Sequence, residues 1–257
     1  MQRMRVSPAF SLGAPATLFV LFGLIAPLAL MLRYSFNKYD PAELMISAIT
    51  LENYTKFIGD AFYQQVLLAT VGISALSTAL CLIAGFPVAY YLVRMASPRM
   101  RSLLFILIIL PLLMGNAVRT AAWMVILGDQ GLLSSAVTML GLSPVKLIYT
   151  PTAVVIGLVS VLLPFMIVTL QSVLEGIERN LEDAAASLGA GHLTVLRRIV
   201  LPLSLPGILA GTMLCFILSM NAYATPVLLG GPQFHMMAPG VGKTRREALR
   251  RTDREVR

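Results

Sequence analysis

Charged side chains are scarce in this chain. Only 12% of its 257 residues are Asp, Glu, Lys or Arg, against 57% apolar residues, a balance too apolar for a water-soluble domain. Cysteine is scarcer still. Cys81 and Cys215 both fall inside apolar runs, where they read as small buried residues, which excludes a disulfide framework, a metal pair and redox chemistry. Histidine occurs twice, at His192 and His235, and the two stand isolated. With no Ser/His/Asp, Cys/His or paired-carboxylate set, no catalysis is assigned and the chain is not read as an enzyme. Gly240-Val241-Gly242-Lys243-Thr244 imitates the end of a phosphate-binding loop, but Met237 stands where the fingerprint needs its first Gly, and no strand precedes it. The fourteen Met residues are scattered, as adaptable packing and not as a metal path.

What the chain has in abundance is long apolar stretches. Residues 14–32, 66–93, 103–127, 152–170 and 206–230 each hold roughly 20 or more mainly apolar residues, enough at about 1.5 Å per residue to cross a bilayer core of about 30 Å. Five membrane spans are predicted. The first follows Arg3 and Arg5 without a clear cleavage site, so it reads as an uncleaved anchor. Pro27, Pro87, Pro111, Pro164 and Pro226 fall within the spans, where kinks are expected.

The distribution of Lys and Arg in short loops sets the orientation. Arg3 and Arg5, then Arg94, Arg99 and Arg101, then Arg179, Arg197 and Arg198 share one side, which is therefore cytoplasmic and holds the amino terminus. Residues 33–65 and 128–150 mix both signs of charge and read as exterior. The tail departs from this pattern. Residues 238–257 hold seven cations and three anions, a surplus of +4 in a chain of +8, on the side where the fifth span would leave them outside. A basic stretch without aromatic partners does not make a nucleic-acid site. It is expected to be disordered or non-native, with residues 240–257 arising from a frameshift or gene truncation. Three regions follow: 1–65, an N-terminal span and exterior segment; 66–237, a core with a cytoplasmic loop at 171–205; and the 238–257 tail.

That loop is the most informative stretch. Leu174, Ile177, Leu181, Ala184, Ala185 and Leu188 recur at three- and four-residue steps, predicting an amphipathic helix over 173–188. Gly189 and Gly191 stop it, Leu193 to Ile199 start a second short helix, and Pro202 and Pro206 end that one and launch the last span. The Ala184-Ala185-Ala186 run removes bulk, so another protein can approach the backbone, with Glu182 and Asp183 as acceptors beside it. Read from composition, an interfacial connecting helix fits equally well.

Asp183-Ala184-Ala185, Gly189 and Ile199-Val200-Leu201-Pro202 resemble the EAA loop of binding-protein-dependent ABC transporter permeases, with Asp183 in place of the usual Glu. Thr50-Leu51-Glu52-Asn53-Tyr54, Phe62-Tyr63, residues 85–90, Leu110-Pro111, Val118-Arg119-Thr120-Ala121-Ala122-Trp123, residues 128–132 and residues 224–231 resemble the spermidine/putrescine subgroup. The resemblance implies an all-α, polytopic helix bundle of the type I ABC importer permease kind, with about five transmembrane helices and the family's usual last one missing. It implies a bacterial inner-membrane permease subunit for a polyamine-like or other small polar solute. Its partners would be an ATP-binding subunit, a second permease in a heterodimer and an extracytoplasmic solute-binding protein. No cofactor is expected on this chain, ATP belonging to the partner. Glu182, Asp183, Ala184, Ala185, Gly189, Ile199, Leu201 and Pro202 would couple to the ATPase. A truncated, non-functional remnant is the first alternative. A secondary carrier or channel is the second, though inverted repeats and midplane ion pairs are not detected.

Within the spans, Arg119 is costly in lipid, by about 2.5 to 3.5 kcal/mol at a span's centre. It lies about 24 Å along a straight helix begun at Leu103. It either lines a solute path or snorkels outward. Asn116, Trp123, Asn221 and Tyr223 could join such a path, although interhelical hydrogen bonding explains the asparagines as well. Gly207 and Gly211 form a Gly-x-x-x-Gly pair for close helix packing, in this chain or against the second permease.

Overall fold

A computed structural model describes residues 8–38, 49–139, 141, 143, 146–231, 234 and 236. The tail after Met236, with its phosphate-loop imitation, lies outside them, as do His235, Arg3 and Arg5. The described residues divide between two compact units that meet in sequence at Gln64 and Gln65.

The first unit holds α1 (Pro8–Ser35) and α2 (Glu52–Gly59). α1 is apolar all round, and none of the 18-residue window that qualifies it as a span is buried within the chain. A helix with no polar face is stable only when lipid or protein surrounds it. Its C-terminal end is finished by the Thr50–Tyr54 motif. The Asn53 amide donates to the carbonyls of Ser35 and Asn37 at 3.0 and 2.8 Å, and Tyr54 and Ser35 share a hydroxyl hydrogen bond of 2.7 Å. The bond to the Ser35 carbonyl occupies an acceptor that the helix end leaves without an intrahelical donor.

The second unit begins within α3 (Ala61–Arg94) and continues through α4 (Pro98–Leu113), α5 (Asn116–Leu127), α6 (Leu132–Met139) and α7 (Pro151–Glu175). It closes with α8 (Arg179–Ser187), α9 (His192–Val195), α10 (Leu201–Met220) and α11 (Ala224–Leu229). α7 is the axis. Leu158, Leu162, Met166, Leu170 and Leu174 recur at four-residue steps along it and are all almost completely buried.

Cys81 approaches the carbonyl of Val159, a Cβ on Gly85 would touch Met166, and Arg94 reaches the carbonyl of Ile177. Because both sets of numbers rise together, α3 and α7 run parallel. On α10 the numbers fall: Gly207 meets Val173, Gly211 meets Met166 and Thr169, and Cys215 approaches the carbonyl of Leu162. α10 is therefore antiparallel to α7. The Gly-x-x-x-Gly pair packs within this chain, which answers the question the sequence left open.

Three expectations about the spans need correction. The stretch 103–127 is not one straight span: it breaks at Met114–Gly115, and α4 meets the following α5–α6 segment at 99°. Pro111 near the end of α4 and Gly115 capping α5 explain the break, since neither sustains a helix interior. Four helices are long and apolar enough to span, or up to five if the bent pair counts as one. The stretch 206–230 also divides, at Asn221–Tyr223, leaving α11 as a separate six-residue helix. Conversely, Pro202 and Pro206 do not separate two helices. Helix runs on from His192 to Met220, because the turn Leu196–Val200 widens to π spacing. Leu201 donates to the carbonyl of Leu196, and the wider turn accommodates the missing N–H and bulk of Pro202.

Candidate functional site

The polar elbow between α7 and α10 is assembled from four segments. α7 ends at Glu175, earlier than the predicted 173–188 helix requires, because Gly176 caps it. The chain then turns through Ile177 and Glu178 into α8. That helix closes with Leu188, Gly189 and Ala190. Gly189 donates to Ala186 at 2.9 Å and Ala190 to Ala185 at 3.0 Å, the paired reverse bonds of a Schellman end. Gly189 has φ +82°, a left-handed conformation that costs any other L-residue roughly 1–2 kcal/mol. Only open space surrounds its missing Cβ, so backbone conformation and not crowding requires glycine there.

Glu182 is not free on the surface. Its carboxylate accepts from Arg94 Nε at 2.6 Å and from the Tyr90 hydroxyl at 3.1 Å. The same guanidinium donates through its NH2 group to the Ile177 carbonyl at 2.8 Å. Both charged side chains are about nine-tenths buried, at 10% and 12% exposure. One arginine at the end of α3 thus holds both the start of the elbow and the first turn of α8. A second contact reinforces it: Arg101 pairs with Glu175, which also accepts from Gln171. The 94–101 connection and the elbow therefore lie at the same end of the unit, as the charge pattern of the sequence requires.

The alanines divide by face. Successive residues on a helix are about 100° apart, so three in a row cannot share one side. Ala185 turns inward against the buried core, whereas Ala184 and Ala186 are exposed with Asp183. Leu188, beside the Schellman end, is 90% exposed. Under the elbow lies a cleft of about 850 Å³, lined by Tyr90, Arg94, Arg179, Glu182, Asp183 and His192 with apolar residues of α9. Farther along, Ile199 is half-buried, Leu201 is half-buried and Pro202 is exposed, all on the continuous helix.

The other residues singled out in the sequence sit around the two helix breaks. α5 and α11 lie side by side, joined by the Thr120 and Thr225 hydroxyls at 3.2 Å. Trp123 donates to Ser160 Oγ at 2.8 Å, tying α5 to α7. Arg119 falls in the first turn of α5, beyond the break, so its distance along a straight span no longer applies. It is half-buried and leans back toward the carbonyl of Met114 at the end of α4. Asn116 and Tyr223 are exposed, and Asn221 is exposed while bonding its own helix at Ile217. Among the described residues, no group of three or more His, Cys, Asp or Glu could hold a metal.

The signal for Arg94 was present in the sequence as a cation at a span's end, but charge counting treats such residues as topology markers only. Nothing in the sequence alone pairs residues 88 positions apart.

The family described as binding-protein-dependent transport system inner membrane component matches residues 82–255, a stretch that takes in the elbow and most of the arginine-rich tail. The spermidine/putrescine transport system permease protein PotB of Escherichia coli (strain K12) is 35% identical over 207 residues, covering 80% of this chain and 74% of that protein. The molybdenum transport system permease protein ModB of Mycobacterium bovis is 33% identical over 168 residues, 65% of this chain and 62% of that protein. A bacterial alginate ABC transporter, solved in complex with its alginate pentasaccharide-bound periplasmic protein, shares the fold. Its TM-score is 0.72 at 16% identity, covering 87% of this chain and 76% of that one. A helical bundle built on a buried axis, a polar elbow between its last two long helices and this family match agree: the chain belongs to the binding-protein-dependent transport system inner membrane components, the multi-pass inner-membrane permeases of ABC importers, of the type that includes the spermidine/putrescine permeases.

Proposed function

We propose that this chain is the permease subunit through which a polyamine-like or other small polar solute crosses the inner membrane, driven through the 173–202 elbow by an ATPase. Membership of the family implies an ATPase and a solute-binding protein as partners. The finer assignments are these: the permease pairs with a second, similar subunit as a heterodimer, ATP is bound by the partner, and the amino terminus and elbow face the cytoplasm.

The observation that carries the reading is the exposure of Asp183, Ala184, Ala186 and Leu188 on and just after a short helix closed at Gly189 and held at its root by Arg94. Small side chains on a short, fastened helix let a partner seat closely and push without the helix yielding. Glu182 and Ala185 serve this from behind, fastening the helix. Gly189 shapes its end, and Ile199, Leu201 and Pro202 carry displacement into α10. Polyamine-like solute is supported by the PotB relationship. The proposed route runs beside the two helix breaks, past Asn116, Arg119, Trp123, Asn221 and Tyr223.

Single cysteines at Ala184 and Tyr223, crosslinked in native membranes, test the docking. Ala184→Cys captures an ATP-hydrolysing subunit and Tyr223→Cys does not. Failure of Ala184→Cys to capture such a subunit overturns the reading. Labelled spermidine uptake in cells tests the solute; uptake unchanged by deletion of the gene removes the polyamine assignment and leaves the docking intact.

A further inference from the structure

We infer that Arg94, with Tyr90, is a positioning latch that makes α3 move with the ATPase-facing elbow, and that Glu182 is spent on this latch and is not a contact for the ATPase. The inference rests on the proposed docking role of the elbow and adds the path by which its motion enters the membrane. Chain connectivity alone joins the elbow to α7 and to α10. α3 has no such link: Arg94 and Glu182 are 88 residues apart. Without the Arg94 tie, a push on α8 would reach α3 only indirectly, through its packing along α7 and the Arg101–Glu175 pair.

The tie is built for that load. Arg94 uses separate nitrogens for the Glu182 carboxylate and the Ile177 carbonyl, so it grips both sides of the turn between α7 and α8. A planar guanidinium suits this geometry and an ammonium does not. Tyr90, one turn earlier on α3, donates to the second carboxylate oxygen. Each carboxylate oxygen of Glu182 thereby has a donor from within the chain, while the neighbouring Asp183 remains exposed. The two adjacent carboxylates divide the work: Glu182 is fastened to α3, and Asp183, at the rim of the same cleft, stays exposed.

Two measurements decide it. A spin label at Ala186 reports the mobility of α8 in the purified full chain, without any partner. It is immobile in the parent, mobile in Arg94→Gln and Glu182→Gln, and partly restored in the charge-exchanged pair Arg94→Glu with Glu182→Arg. Lys at position 94 does not restore it. In vesicles holding the chain with its ATPase, second permease and binding protein, Arg94→Gln retains crosslinking from Ala184→Cys and ATP hydrolysis. Solute uptake per ATP falls about tenfold, within the range a lost coupling between two sites produces. Unchanged label mobility in Arg94→Gln overturns the latch. So does full uptake per ATP, and so does loss of Ala184 crosslinking in Glu182→Gln, which would make that carboxylate a direct contact. Failure of the parent chain to engage any ATPase counts against the docking role instead, and the label experiment still decides the latch.

Discussion

The two ends of α7 are fastened by different chemistry. At its C-terminal end, ion pairs reach across from the α3–α4 connection to the elbow: Arg94 with Glu182, and Arg101 with Glu175. Toward its N-terminal end, neutral groups do the joining: Gly157 against Thr225 and Leu229 of α11 and Ser160 with Trp123 of α5, while Thr120 and Thr225 bind those two neighbours to each other. Between them Gly207 and Gly211 admit α10. The contrast follows from solvent. Ion pairs are affordable where side chains emerge from the apolar span into a polar layer, while within it a charge is costly and helices associate through small residues and hydroxyls. The charged end can be reshaped by a partner that supplies or removes charge; the neutral end is held by shape.

Shape is the easier of the two to break. A Cβ at Gly207 would stand 2.5 Å from Val173 Cγ2 and 2.6 Å from Val173 Cβ, a branched side chain that cannot swing away. Gly207→Ala is expected to cost about 3 kcal/mol, the upper range for overpacking, and to lower membrane accumulation severely. Gly157→Ala meets the tip of Leu229 at 2.5 Å, which can shift, and the β-branched Thr225 Cγ2 at 2.7 Å, which is less free to move, so about 2 kcal/mol is expected. Gly211→Ala crowds the flexible Met166 sulfur at 2.9 Å, with Thr169 in ordinary contact at 3.6 Å, and is the mildest. Val173→Ala in the Gly207→Ala background restores accumulation. Thermal midpoints of the purified variants check the order; a Gly211→Ala midpoint below that of Gly207→Ala would contradict it.

The neutral hydrogen bonds come next. Trp123→Phe keeps an aromatic ring against the core, loses part of the indole's packing and removes the donor to Ser160. A loss of about 1–2 kcal/mol is expected, about 1 of it the ordinary net value of such a bond and the rest the smaller ring. Ser160 retains its own bond to the Gly157 carbonyl at 2.7 Å, so no orphaned hydroxyl enlarges the effect. If Trp123→Phe destabilised the protein as much as Gly207→Ala, this end would be held by polar bonding after all, and the contrast with the elbow would fail.

These differences mark how much could be read from sequence. The apolar runs locate α1, α3 and α7, and Gly189 is recognised as a helix stop, because hydropathy and glycine's backbone freedom are local properties. The breaks at Met114–Gly115 and Asn221–Tyr223 are not visible in hydropathy, since the runs on both sides stay mainly apolar and a single Asn at or beside each does not end a span. Pro202 misleads in the other direction: its local preference says stop, and the π turn before it overrides that preference. Nor can hydropathy tell α1 from α7. Both are apolar all round, yet the spanning window of α1 has no buried residue and that of α7 is 56% buried. Position in the bundle is a tertiary fact. The elbow was legible as a motif, while the inward turn of Ala185 and the capture of Glu182 by Arg94 depend on contacts across the chain.

The smallest effect tests whether charge pairs matter through burial or merely through proximity. Glu52 and Lys56 pair at 2.7 Å on α2 with side chains 40% and 65% exposed, while the Arg94–Glu182 pair is about a tenth exposed at a similar distance. The Lys56 hydrogen bond, and then its charge, hold the Glu52 carboxyl below its ordinary value. A depressed carboxyl favours the folded state above its unfolded pKa, and that contribution disappears as pH falls through the folded pKa. Water and salt screen an exposed pair of this kind. Lys56→Gln is therefore expected to leave the thermal midpoint at pH 7 within error of the parent. Only the acid-side loss of amide protection in Glu52–Gly59, corrected for intrinsic exchange, should flatten. Were Lys56→Gln to loosen the chain as much as Arg94→Gln does, proximity alone would account for both pairs. The elbow's buried arginine would then have no special claim to hold α3.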